Sequence, residues 1–176
     1  MDRKRVLKIK KVSANLPFGI GGVEFETGRN ARVAAWKLYV EMRTRIATQQ
    51  LGEGQGLLRE ALTSLYKLFQ ITREILKEAG PDVGVSSQES VGEIGCILLN
   101  RGLRPFTEKW HPKLEVWEAK RLDNVSAKEH EDEWTDATQM RQELTELRQD
   151  LIIFADSLAK IAGVSPLSPN ETQARD

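Results

Sequence analysis

The sequence predicts a mainly α fold: a four-helix bundle with a short N-terminal β-hairpin, a proline-bent third helical segment and a long C-terminal helix. Three observations carry that expectation. Period-two alternation of apolar and charged residues is confined to the stretch before Gly28. From Asn30 onward apolar residues recur every three or four positions, which is the spacing of one helix face. Capping boxes and glycine-proline stops cut this pattern into segments. Residues 1–28 are accordingly read as a basic hairpin appendage, 29–163 as the helical bundle and 164–176 as a flexible tail.

The hairpin rests on two short runs. In Val6 to Val12, Leu7 and Ile9 alternate with Lys8 and Lys10, and in GGVEFETG, Val23 and Phe25 alternate with Glu24 and Glu26. Between them NLPFGIGG supplies Pro17, Gly19, Gly21 and Gly22, residues suited to a reversal. FGIGG is no phosphate loop. It lacks both the G-x-G-x-x-G opening of a helix and the G-K-[ST] ending of a P-loop.

The first helix is expected from Ala31 to Gln49, with Ala35, Tyr39, Met42 and Ile46 on one side; LGEGQG ends it. The second places Leu58, Leu62, Leu65, Phe69 and Leu76 on one stripe, interrupted at Thr72, and stops at Ala79-Gly80-Pro81. A third starts within two overlapping capping boxes, Ser86 with Glu89 and Ser90 with Glu93, and buries Ile94, Ile97 and Leu98. The last is announced by Ser126 and Glu129. It carries Ala137, Met140, Leu144, Leu147, Leu151, Phe154, Leu158 and Ile161 at three and four spacing, extended upstream by Trp134. From Ala127 to Ala162 it would be about 50 Å long at about 1.5 Å per residue. That length exceeds the partners the other segments offer, so part of its seam is expected to need another chain, or else to kink near its acidic start.

Composition narrows the classes of function. With 176 residues, 40% hydrophobic and 30% charged, the chain can bury a core, and no run approaches the length of apolar sequence a membrane helix needs. The charged start MDRKRVLKIKK is followed by no apolar secretory segment, so a cytoplasmic location is expected. Net charge is zero, from 26 basic and 26 acidic side chains. The two signs are unevenly placed: basic residues crowd the start, and acids crowd Asp123 to Asp150. A nucleic-acid role through Lys8, Lys10 and Lys11 is possible but not favoured, because no aromatic residues interleave for base stacking and lysine also guards exposed strand edges. Cys96, the single cysteine, sits in the apolar run IGCILL and reads as a small buried hydrophobe.

Chemistry is best sought in RPFTEKWHP, Arg104 to Pro112. A histidine can exchange protons near neutral pH and an arginine can hold phosphate with two donors. An arginine followed by histidine at this spacing, in an all-helical chain, resembles the HEPN-type ribonucleases. The resemblance implies a dimer that cleaves RNA without metal, using Arg104 and His111. Pro105 and Pro112 depart from that family's pattern and place both residues at expected bends, with Phe106, Trp110 and Trp117 seating the segment on the bundle. His130, in KEHEDEW, shares a helix face with Glu133 and Trp134 only, so it reads as part of a solvated acidic first turn rather than a metal ligand.

The function the sequence points to is non-enzymatic: an assembly or regulatory component that works through helical self-association or partner-helix packing. Its contacts are assigned to Leu144, Leu147, Leu151, Phe154, Trp110 and Trp117. No metal or cofactor is expected. The alternative is the HEPN-like ribonuclease.

Overall fold

The structure, a computed structural model, describes residues 10–45, 55–83 and 90–166. It is mainly helical, with one two-stranded antiparallel hairpin at the start. Strand β1 is Lys10–Leu16 and β2 is Gly21–Thr27, in a register that pairs Val12 with Phe25, Ala14 with Val23 and Leu16 with Gly21. The alternation thus runs four residues beyond the expected end at Val12, because Pro17 is the first residue that cannot continue the ladder. Leu7, Lys8 and Ile9 lie outside the described residues. Lys10 and Lys11 are described through backbone pairing to Thr27 and Glu26. Phe18 and Gly19 take φ of 62° and 75°, the positive values a tightly twisted reversal needs at its two centres.

That reversal is unusual in placing a phenylalanine in the left-handed region. The ring explains it. Phe18 packs 6.3 Å from Phe154 and lies so close to Gly102 that a Cβ there would come within 2.9 Å of it. Ala14, Leu16, Val23 and Phe25 are buried with the helices in one continuous core.

Helix α1 is Arg29–Thr44, and α2 is Leu58–Ala79. Ile46 and the expected end of α1 at Gln49 lie outside the described residues. Helix α2 buries Leu58, Ala61, Leu62, Leu65, Leu68, Thr72 and Ile75, and ends as expected at Gly80, whose φ is 73°. Ser90 caps α3, Val91–Ile97, by accepting the Glu93 N–H at 3.1 Å. The Ser86 and Glu89 pair lies outside the described residues.

From α3 the chain passes through a π turn, Leu98–Leu103, into α4, Arg104–Glu118. The two prolines therefore do not break the helix. Arg104 has φ −59° and ψ −48°, and His111 is inside α4, so neither stands at the expected bend. The π turn supplies the reason for the first. Arg104 N–H reaches back five residues to the Leu99 carbonyl, widening the helix one step before Pro105, whose missing donor then falls in the first turn of α4. Pro112 lies in the helix interior, next to exposed residues on either side of it in the chain's outer face, such as Glu108 and Lys113.

The expected single helix from Ala127 to Ala162 is two. Helix α5 is Ala127–Asp132, with the Ser126–Glu129 capping box formed in both directions, and α6 is Ala137–Ala162. Trp134 stands at the break, buried and edge-on to Trp110 at 6.0 Å and 86°. Helix α6, about 39 Å long at about 1.5 Å per residue, packs most extensively on α1 and also on the hairpin. It ends at Gly163 with φ 79°. There Arg32 donates through Nε and Nη2 to the Ala162 carbonyl, 3.2 Å each, satisfying one of the orphan acceptors of the last turn. Among the described residues no helix is long and apolar enough to cross a membrane.

Candidate functional site

The RPFTEKWHP stretch forms most of α4, and helical geometry sorts it into three faces. Phe106 and Trp110, with Leu114, are four residues apart and buried in the core. Lys109 and Lys113 flank the Trp110 ring, with ammonium groups 4.8 and 5.0 Å from its centroid, and pair with Glu143 and Asp136 respectively. Trp110 Nε1 donates to Glu143 at 2.9 Å, and Gln139 donates to the same carboxylate at 3.0 Å. Burial pushes the Glu143 carboxyl up, but the hydrogen bonds from Lys109, Trp110 and Gln139 outweigh it and hold the group below the usual carboxylate range.

Arg104 and His111 lie on the third face, seven residues and so about 10 Å apart along the helix. Both meet α2. The Arg104 guanidinium sits 5.4 Å over Phe69, with Asn100 at 3.3 Å and Glu108 at 3.4 Å. His111 stands edge-on to Tyr66, 5.3 Å between centroids at 83°. Its Nε2 is 3.7 Å from Glu115, and its Nδ1 is buried with no hydrogen-bond partner. One step further Arg59 grips Glu118 with two nitrogens, at 2.5 and 2.9 Å, which raises the arginine's proton affinity. These three pairs form a ladder between antiparallel α2 and α4. Within one chain Arg104 and His111 are thus each engaged by a different aromatic ring of α2.

His130 and Glu131 depart from the solvated acidic turn the sequence suggests, being only 8% and 5% exposed. The His130 ring stacks on Trp117 at 4.6 Å and 11°. His130 Nε2 donates to the Trp117 carbonyl at 2.8 Å, while Trp117 Nε1 donates to the His130 carbonyl, also at 2.8 Å. Glu131 accepts the Leu58 N–H at 2.7 Å, filling the cap position that Leu57 cannot fill, and it pairs with Arg141. Arg141 in turn donates to the Gln55 and Gly56 carbonyls at 3.3 and 3.1 Å. Leu57, Arg59, Leu114, Trp117 and His130 line a cavity of about 270 Å³ beside this cluster.

Sequence reasoning misses Glu131, Arg141 and Glu143, because their partners are backbone groups and side chains far along the chain. The one local signal is Trp134, a large apolar residue among acids. Cys96 is also misplaced by its apolar neighbours. It is exposed, while Gly95 beside it takes the buried position, where a Cβ would meet Leu76 at 2.8 Å. Among the described residues no group of three or more His, Cys, Asp or Glu lies together to hold a metal ion.

Of the residues assigned to partner contact, Leu144, Leu147, Leu151, Phe154 and Trp110 are buried in the chain's own core, and Trp117 is partly buried. The seam finds its cover inside the chain because α6 is shorter than expected and the hairpin adds a face that the helices alone do not supply. Compared with known proteins, the chain matches no family model, no curated protein and no solved structure.

Proposed function

We propose that the protein is a non-enzymatic interaction or assembly component of the cytoplasm, acting through packing of its helices on a partner. The α1, α2, α3–α4 and α6 segments are read as the four members of a bundle that presents this surface. What carries the proposal is the contrast between engaged polar groups and free apolar ones. Arg104, His111, His130 and Glu131 each have a structural contact. Meanwhile Val33, Trp36, Val40, Val116, Leu122 and Ile153 stand 36 to 66% exposed. Val33, Trp36 and Val40 follow one another along one face of α1, and large apolar side chains grouped on one surface mark interaction sites. The test is sedimentation of the purified full chain over a wide concentration range, with mass spectrometry of whatever co-purifies in stoichiometric amount. Concentration-dependent assembly or a stoichiometric partner is expected; a monomer at every concentration with nothing bound removes the proposal.

A second reading, the metal-independent ribonuclease, is supported by one observation: Arg104 and His111 share one face of α4 and both keep contact with solvent. Its test is RNA cleavage by the wild-type chain and by His111→Ala. Cleavage lost in a folded variant supports it, and absent or equal cleavage removes it.

A further inference from the structure

The outward face of α1 has a pattern of its own. Arg29, Val33, Trp36, Val40 and Arg43 follow one another at spacings of four, three, four and three, so they form one stripe along the helix. The opposite face, with Ala34, Ala35, Leu38, Tyr39 and Met42, is buried in the core. At the centre of the outward stripe Val33 is 47%, Trp36 45% and Val40 36% exposed. The Trp36 ring leans on Tyr39 of the same helix, 5.8 Å between centroids at 39°, and more than a third of each of the three side chains stays open. Arg32 and Lys37 flank the stripe on its two sides. Arg32 is bonded to a carbonyl rather than a carboxylate, so its charge is not neutralised by a direct ion pair; Lys37 pairs with Glu78. The one acid of the helix, Glu41, is paired with Arg45 and lies off the stripe.

From this arrangement we infer that the α1 face is a docking site for an amphipathic helix of another protein, one with an apolar seam and acidic flanks. The inference rests on the interaction reading above and names its surface and its occupant. Charge complementarity selects the flanks: acids on the incoming helix meet Arg29 and Arg32, while Lys37 already has Glu78 beside it. The same charges disfavour a second copy of this face, which would set arginine against arginine. Heptad spacing selects a helix, since seam residues at three and four intervals enter the holes of a facing helix. A lipid surface responds to apolar area and total charge. Three side chains give little area.

The probe is a labelled helical peptide of heptads with leucine at both seam positions and glutamate at both flanking positions, titrated into the full chain and read by fluorescence anisotropy. A twin peptide with lysine at the flanks is the comparison. Saturable binding of the glutamate peptide is expected, weakening as salt rises, and weaker by about tenfold or more in Trp36→Glu. Thr145→Glu, an exposed position on α6, should leave it unchanged. Circular dichroism checks that Trp36→Glu keeps its helix content, and Val33→Glu serves as the second variant if it does not. Equal binding of both peptides, no binding of either, or binding indifferent to both α1 variants overturns the inference. So does finding that the α1 variants abolish dimerisation, or attachment to phosphatidylserine vesicles, while the glutamate peptide fails to bind. A dimer or a stoichiometric partner that persists in the α1 variants sinks the α1 site and leaves the interaction reading standing. A monomer without partner sinks that reading as well.

Discussion

Glu131 is a carboxylate removed from water, and a buried charge is tolerated only when its partners repay the lost hydration. Here one oxygen caps the first N–H of α2 and the other meets Arg141, so a single side chain ties α5, α2 and α6 together. Glu131→Ala should therefore lower stability by about 3 kcal/mol, measured by urea unfolding, since it strands both a helix terminus and a cation. A loss under about 1 kcal/mol would show that water replaces the carboxylate easily. Glu143 makes a pH prediction with a definite sign. Its folded proton affinity is depressed by Lys109, Trp110 and Gln139 against the opposing effect of burial. The stability it contributes is present above the ordinary carboxylate range and is lost as pH falls through the lower folded value. Acid unfolding of Glu143→Gln should accordingly start from a lower stability at neutral pH and fall less steeply below about pH 4.5 than the wild type. Parallel acid curves for the two proteins would contradict this.

At the scale of elements, much was legible in the sequence where local rules act alone. The stops at Gly80 and Gly163, the Ser90 and Ser126 caps and the turn at Pro17 all follow from residues within a few positions of each other. The failures have a shared cause. The break before Ala137 is made where Trp134 reaches Trp110 and Glu131 reaches Leu58, contacts across distant parts of the chain that no periodicity records. The RPFTEKWHP stretch illustrates the same limit, because a π turn upstream, not a bend, accommodates Pro105. As for the candidate site, the sequence singled out Arg104 and His111 by residue type but did not reveal the Phe69 and Tyr66 rings that hold them. Pro112 remains the local misfit, an interior proline that denies the Glu108 carbonyl its helical donor. Pro112→Ala should restore that bond and raise the unfolding free energy by about 1 kcal/mol, after allowance for the freer unfolded chain. Urea unfolding decides it, and a destabilised variant would show that the proline is favoured by its surroundings.

For the molecule as a whole, the heptad seam of α6 does two kinds of work in principle, closing a core or joining chains, and burial separates them. Leu147 is 7% exposed, inside the common core. Leu147→Glu should therefore cost several kcal/mol and melt the monomer rather than merely dissociate an assembly. Circular dichroism and sedimentation on the same sample distinguish these: full helix content with a smaller sedimenting species would return the seam to an intermolecular role. Charge polarity also acts at this scale. Helix α1 carries Arg29, Arg32 and Lys37 against the single acid Glu41, so association with an acidic partner should slow as ionic strength rises.

The clasp between Arg32 and the Ala162 carbonyl spans 130 positions of sequence. During synthesis, α1 leaves the ribosome long before α6 exists to cover its core face. Helix α2 can cover part of Leu38, Tyr39 and Met42 sooner, but α6 supplies the largest share of the packing on α1, so that face stays incompletely closed until the last part of the chain is made, an interval in which exposed apolar surface favours aggregation.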